Sequence, residues 1–163
     1  MSTIPTLPGI TSKMIDTPRL KMHALFSGAE GGTPVLFIHG NASSATYWEE
    51  AMLKLPSGFR GIALDLRGYG DTEDKLIDAT RGCGDWIDDI NALLKSLNIN
   101  RYHAVGHSMG GSILFSLIAA SPTNILSATL VDPGSPYGFG GSKGVDGNPC
   151  YDDCAGSGGG VVN

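Results

Sequence analysis

A serine set among glycines, Gly106-His107-Ser108-Met109-Gly110-Gly111, is the feature of this sequence best equipped for chemistry. A serine hydroxyl becomes a nucleophile once a base takes its proton. Here an apolar run precedes it and a helical pattern follows, so the glycines permit a tight strand-to-helix turn that projects Ser108 above the carboxyl end of its strand. The helix opening at Met109 aims its free N–H groups and the positive end of its dipole at that point. On this geometry the Met109 N–H donates to an oxyanion formed beside Ser108. The plainer alternative, a glycine-rich turn whose serine only caps a helix, is disfavoured by the elements on both sides.

Ser108 needs a base, and a carboxylate to orient it. The four histidines are poorly placed: His23 lies in a strand, His39 opens a loop, His103 begins the strand leading to the turn, and His107 should point away from its neighbour. Each reads as a strand or loop histidine satisfied by local hydrogen bonds. Cys150 and Cys154 have no second ligand pair and no histidine nearby, which argues against zinc. The paired Asp152 and Asp153 read as a solvated acidic turn, and no motif calls for a metal or an organic cofactor.

Short apolar runs alternate with longer helical periods, the pattern of βαβ units wound into a mostly parallel sheet with helices on both faces. Strands are expected at Leu20–Ser27, Val35–His39, Gly61–Asp65, Tyr102–Gly106 and Ala128–Asp132, with a first one within Ile10–Thr17. Helices are expected from about Thr46 to Leu55, capped by Ser43 or Ser44, from Asp85 to Leu97, and from Ser112 to Ala120. The Asp85–Leu97 segment carries Trp86, Ile87, Ile90, Leu93, Leu94 and Leu97 along one stripe, with Asp85, Asp88 and Asp89 toward its positive end.

Length and composition set the frame. The 163 residues, 41% hydrophobic and 17% charged, fit one globular domain with a buried core. Eleven basic against 16 acidic residues give a net charge of −5, which argues against nucleic acid as a partner. Three cysteines form no disulfide framework, and Met1–Lys13 contains no apolar run long enough for a signal or a membrane span. Together these predict a cytoplasmic protein. Of 24 glycines, ten fall between Gly134 and Gly160, so that stretch reads as loop.

Three segments resemble the α/β-hydrolase superfamily. His39-Gly40-Asn41 after an apolar strand resembles its oxyanion loop, Asp65-Leu66-Arg67-Gly68-Tyr69-Gly70 its D-x-R-G-x-G turn, and Gly106–Gly111 its esterase-type elbow. The resemblance covers nearly all of residues 20–135. It implies Ser108 as nucleophile and the N–H groups of Asn41 and Met109 as the oxyanion hole. An Asn after the HG pair binds halide in related haloalkane dehalogenases, but those enzymes use a carboxylate nucleophile. Asn41 is therefore read as an oxyanion-loop residue, its side chain turned either to the loop or to the acyl pocket.

In the family's chain order an acid and then a histidine follow the nucleophile. Residues 1–135 correspond to the N-terminal part of the core, through about the sixth strand, and 136–163 form a Gly/Pro-rich segment leading into a cap or cleavage loop. Asp132 stands where some lipases of this fold carry their acid, although the family acid more often follows a seventh strand. Tyr137, Phe139 and Tyr151 could line the acyl pocket or anchor the loop. The expectation is a carboxylic-ester hydrolase acting through an acyl-enzyme, completed by a C-terminal chain of the same precursor that supplies the last strands and the catalytic histidine. Without that chain the sheet edge should be uncovered and prone to aggregation. A lactonase, thioesterase, C–C hydrolase or cofactor-free haloperoxidase of the same superfamily is an alternative, as is a non-catalytic binding or regulatory module on a truncated hydrolase fold.

Overall fold

The computed structural model describes residues 5–134 together with 142–143 and 148–149. Six strands form one sheet: β1 (Thr11–Asp16), β2 (Lys21–Ser27), β3 (Thr33–Ile38), β4 (Phe59–Leu64), β5 (Tyr102–His107) and β6 (Ile125–Val131). Their spatial order is β1-β2-β4-β3-β5-β6. β1 with β2 and β2 with β4 pair antiparallel, while β4-β3-β5-β6 pair parallel, as the uniformly apolar run of β3 predicts for a strand buried on both faces. β1 lies within the segment expected to hold a first strand. The helices are α1 (Glu49–Leu53), α2 (Gly84–Ser96) and α3 (Met109–Ala120).

Strand alternation sorts the core into two layers. Met22, Ala24, Phe26, Leu36, Ile38, Ile62 and Leu64 point to the face covered by Ile90, Leu93 and Leu94 of α2 and Ile113, Leu114 and Leu117 of α3. Leu25, Val35, Phe37 and Ala63 point to the other, where Ala45, Trp48 and Met52 cover them. α2 matches its predicted stripe closely. The helix expected from Thr46 to Leu55 is shorter and tighter, a 3₁₀ turn over Ala45–Trp48 that continues into α1. Ser44 occupies its N-cap position, but its hydroxyl pairs with Thr46 Oγ1 at 2.7 Å instead of capping a backbone N–H.

β6 is the last strand of the sheet among the described residues, and most of it is exposed. Beyond it, Ser142–Lys143 (β7) and Asn148–Pro149 (β8) pair antiparallel, a short ladder inside the stretch read from composition as loop. Among the described residues no helix is long and apolar enough to cross a membrane.

Candidate active site

β5 runs directly into α3 through Ser108, whose backbone holds φ 52° and ψ −116°. That is a costly conformation for a residue with a Cβ, on the order of 1–3 kcal/mol. The surroundings enforce it. Ser108 N donates to Val131 O at 3.1 Å, and Ser108 O accepts from Gly111 N at 2.9 Å, Gly134 N at 3.1 Å and Ser112 N at 3.2 Å. The glycines are required by space. A Cβ on Gly106 would lie 2.5 Å from Gly110 O, and one on Gly110 would lie 2.6 Å from His39 O while colliding with Ile38 O. The strand-to-helix turn expected around Ser108 is therefore present, with the serine half-buried at the start of α3.

The loop after β3 closes the other side of the serine. A Cβ on Gly40 would come within 3.1 Å of Ser108 Cβ, so Gly40-Asn41 packs against the nucleophile position itself. Neither the Asn41 nor the Met109 N–H has a hydrogen-bond partner among the described residues, which leaves both free to serve an incoming oxyanion. The Asn41 side chain turns to its own loop: its Oδ1 accepts from Ala42 N at 3.0 Å and from the Tyr69 hydroxyl at 2.7 Å. Of the two orientations open from sequence, this is the one adopted.

Tyr69 is a site residue that the sequence reading passed over. Its hydroxyl joins the turn after β4 to the oxyanion loop, and its ring meets His39 edge-on at 5.1 Å. The usable signal was position, since both loops leave carboxyl ends of neighbouring parallel strands. His39 is fully buried and neutral in role: its Nδ1 pairs with Gly40 O at 2.7 Å, and its Nε2 accepts from Leu66 N at 3.1 Å. Burial lowers its pKa from the ordinary imidazole value, against the Gly40 hydrogen bond and the Asp65 charge, which raise it. Asp65 anchors both loops. Its Oδ1 accepts from Ala45 N at 2.7 Å, and its Oδ2 accepts from Asp71 N at 2.9 Å and pairs with His23 Nδ1 at 2.7 Å. Burial alone would raise the Asp65 carboxyl, but these hydrogen bonds and the nearby imidazole bring it below its ordinary value.

Arg67 explains the remaining specificity of the turn after β4. Its guanidinium grips Asp89 of α2 through Nε–Oδ2 at 2.7 Å and Nη2–Oδ1 at 2.8 Å, and donates through Nη1 to Leu76 O at 3.0 Å. Asp89 first of all raises the arginine's pKa, so the fork stays charged. The turn is thereby locked to α2.

None of the four histidines pairs with Ser108 Oγ in the described residues. His103 pairs with Ser127 Oγ at 2.7 Å, and the His107 ring stacks on Tyr47 at 5.0 Å. His23 and His39 do not rely on local partners alone, since each reaches a residue far along the chain. Asp132 is brought beside the turn: Val131 and Gly134, which flank it, both bond to the Ser108 backbone. Its carboxylate is exposed and holds no histidine among the described residues. Tyr137, Phe139 and Tyr151 lie outside the described residues. Among the described residues no group of three or more His, Cys, Asp or Glu side chains is placed to hold a metal ion.

Comparison with known proteins places these features in a wider set. A family model described as alpha/beta hydrolase fold matches residues 33–144. The dihydrolipoyllysine-residue acetyltransferase component of an acetoin cleaving system from Pseudomonas putida is 35% identical over 105 residues, covering 64% of this chain and 28% of that protein. A monoacylglycerol lipase from Xenopus laevis is 31% identical over 109 residues, covering 65% of this chain and 32% of the lipase. Among solved structures, an epoxide hydrolase from Vigna radiata superimposes with a TM-score of 0.69 at 32% identity, covering 75% of this chain and 39% of that one. The chain thus spans 28% and 32% of the length of these two curated relatives.

Proposed function

The chain belongs to the α/β-hydrolase fold family, and from that premise we propose that it is the nucleophile-bearing part of a serine hydrolase that cleaves carboxylic esters. The observation that carries the reading is Ser108, held at positive φ at the start of α3 with Gly40-Asn41 packed against its Cβ. A hydroxyl nucleophile forms an ester with an acyl group and is released by water, which suits acyl transfer. Ser108 Oγ attacks the acyl carbonyl, the Asn41 and Met109 N–H groups hold the oxyanion, the alcohol departs, and water regenerates the serine. The lipase relative acts on a monoacylglycerol by its name, which agrees with an ester.

In this reading the base is a histidine carried by polypeptide outside the 163 residues, a C-terminal chain of the same precursor whose strands extend the sheet at the exposed edge of β6. Asp132 is the orienting acid, since the backbone of Ser108 holds both of its flanks. Tyr137 and Phe139 are proposed as lining of the acyl pocket. The proposal places the protein in the cytoplasm, since its three cysteines form no disulfide framework. The test is hydrolysis of a short-chain p-nitrophenyl ester by the purified protein and its Ser108→Ala variant, with intact masses measured under denaturing conditions. Activity that disappears with the hydroxyl, together with a second histidine-containing chain, supports the whole reading. An inactive protein of one 163-residue species would instead mark a binding module that keeps the architecture without the base.

A further inference from the structure

Ser12, His23 and Asp65 form a serine–histidine–aspartate array away from the Ser108 turn. Ser12 Oγ lies 2.7 Å from His23 Nε2, and His23 Nδ1 lies 2.7 Å from Asp65 Oδ2. The three residues come from β1, β2 and the position just after β4. In the β1–β2 ladder Ser12 stands opposite Leu25, so it shares a sheet face with His23 two residues along. The histidine is 2% exposed and the aspartate 0%, whereas Ser12 is exposed at the sheet's outer strand. Asp65 is oriented by N–H groups of Ala45 and Asp71, and the His23 backbone N–H is tied to Thr72 Oγ1 at 3.0 Å. The imidazole therefore cannot turn, and its Nδ1 proton goes to the carboxylate. That leaves Nε2 as an acceptor aimed at the Ser12 hydroxyl.

We infer that Ser12 is a second reactive serine, activated by the buried His23–Asp65 pair, which accepts acyl or phosphonyl groups from small esters with good leaving groups. The base and its orienting acid are in place before any ligand arrives, the arrangement that makes a serine nucleophilic. Because Ser12 is exposed, the developing oxyanion is met by water, which restricts the site to donors that already leave easily. With an aryl ester, Oγ bonds to the acyl carbon, the acyl–O(aryl) bond breaks with the electron pair leaving on phenolate, and Nε2 takes the serine proton. With a fluorophosphonate, Oγ bonds to phosphorus, the P–F bond breaks, and fluoride leaves while Nε2 takes the same proton. The chain holds its own controls. Ser127 pairs with His103 Nδ1 at 2.7 Å, and among the described residues that histidine has no carboxylate and the exposed Ser57 has no histidine partner.

The test is fluorophosphonate labelling of the whole protein as isolated, with adducts mapped by peptide mass, in the natural sequence and in Ser108→Ala. The expected result is an adduct on Ser12 that persists in Ser108→Ala, forms faster than any on Ser127 or Ser57, and slows by a factor of about 10² or more in His23→Gln. Ser12→Ala, an exposed change that does not endanger folding, removes that adduct and leaves labelling of Ser108 intact. Far-UV and near-UV dichroism checks that His23→Gln is folded; if it is not, the comparison of Ser12 with Ser127 decides. Absence of a Ser12 adduct in the folded protein, or a rate equal to that of Ser57, overturns the inference. A label missing from Ser108 alone would instead count against the ester-hydrolase reading.

Discussion

Replacing Ser108 by glycine should make the protein more stable while removing its chemistry. The hydroxyl caps nothing: α3 starts without a side-chain hydrogen bond from Ser108, so its loss costs the helix little. The backbone at φ 52° and ψ −116° is what an L side chain resists, at about 1–3 kcal/mol. Glycine escapes that penalty but loses about 0.5–1 kcal/mol more conformational freedom on folding. The balance is a stabilisation of roughly 1 kcal/mol, or a rise of about 2–4 °C in Tm for a domain of this size. Ser108→Ala is the essential companion, because it removes the same hydroxyl and keeps the Cβ. Thermal melts of the three proteins should therefore place glycine highest, with alanine and serine close together, and both variants should lose turnover of p-nitrophenyl acetate beyond the acylation of Ser12. If glycine melts at or below alanine, the turn stores no strain and the geometry assigned to Ser108 is wrong.

Asp89→Asn should destabilise by about 3–5 kcal/mol in urea titration, because it leaves the buried Arg67 fork, and Arg19 beside it, without their shared carboxylate. Gly110→Ala should cost about 1–3 kcal/mol and displace the turn, lowering esterase kcat as well as Tm, since its Cβ collides with the carbonyls of Ile38 and His39. Tyr69→Phe should cost only about 0.5–1.5 kcal/mol, yet free the Asn41 side chain, so ester turnover should fall more than stability does in parallel melts and rate measurements. Stability should decline on acidification in two stages. Burial holds His39 below the ordinary imidazole value in the folded state, so the unfolded chain takes up the extra proton first, and stability present above about pH 6.5 is lost as pH falls below it. Asp65 is also depressed on folding, so its contribution is present above about pH 4 and lost below that. Urea midpoints measured from pH 8 to 3 check both, and a His39→Asn variant that still folds should lack the upper stage.

Sequence signals carried the fold where local pattern and steric demand coincide. The glycines around Ser108 are legible because each occupies space that no Cβ could share, and the apolar run at β3 is legible because a strand covered on both faces has no room for alternation. The stripe of α2 was readable for the same reason, as one face packs and the other does not. What escaped was long-range pairing. His23 and Asp65 are 42 positions apart and Tyr69 and Asn41 are 28 apart, and nothing in either local pattern names its partner. The helix after the oxyanion loop begins as a 3₁₀ turn whose first N–H, from Ala45, donates to the Asp65 carboxylate 20 positions on, another partner that local pattern does not name.

One carboxylate supports the turn beside Ser108 and, on the inference above, the reactivity of Ser12. Asp65 holds the start of the 3₁₀ turn through Ala45 N, the loop after β4 through Asp71 N, and His23 through its ring. Gly70 is glycine because a Cβ there would overlap that carboxylate, so the turn wraps the acid as closely as backbone allows. Through Tyr69 the same turn reaches Asn41 and hence the oxyanion loop beside Ser108. A change at Asp65 must therefore move both sites at once, whereas Ser12→Ala and Tyr69→Phe each move one. That separation is what lets labelling at Ser12 and turnover at Ser108 be attributed to different residues of a single connected network.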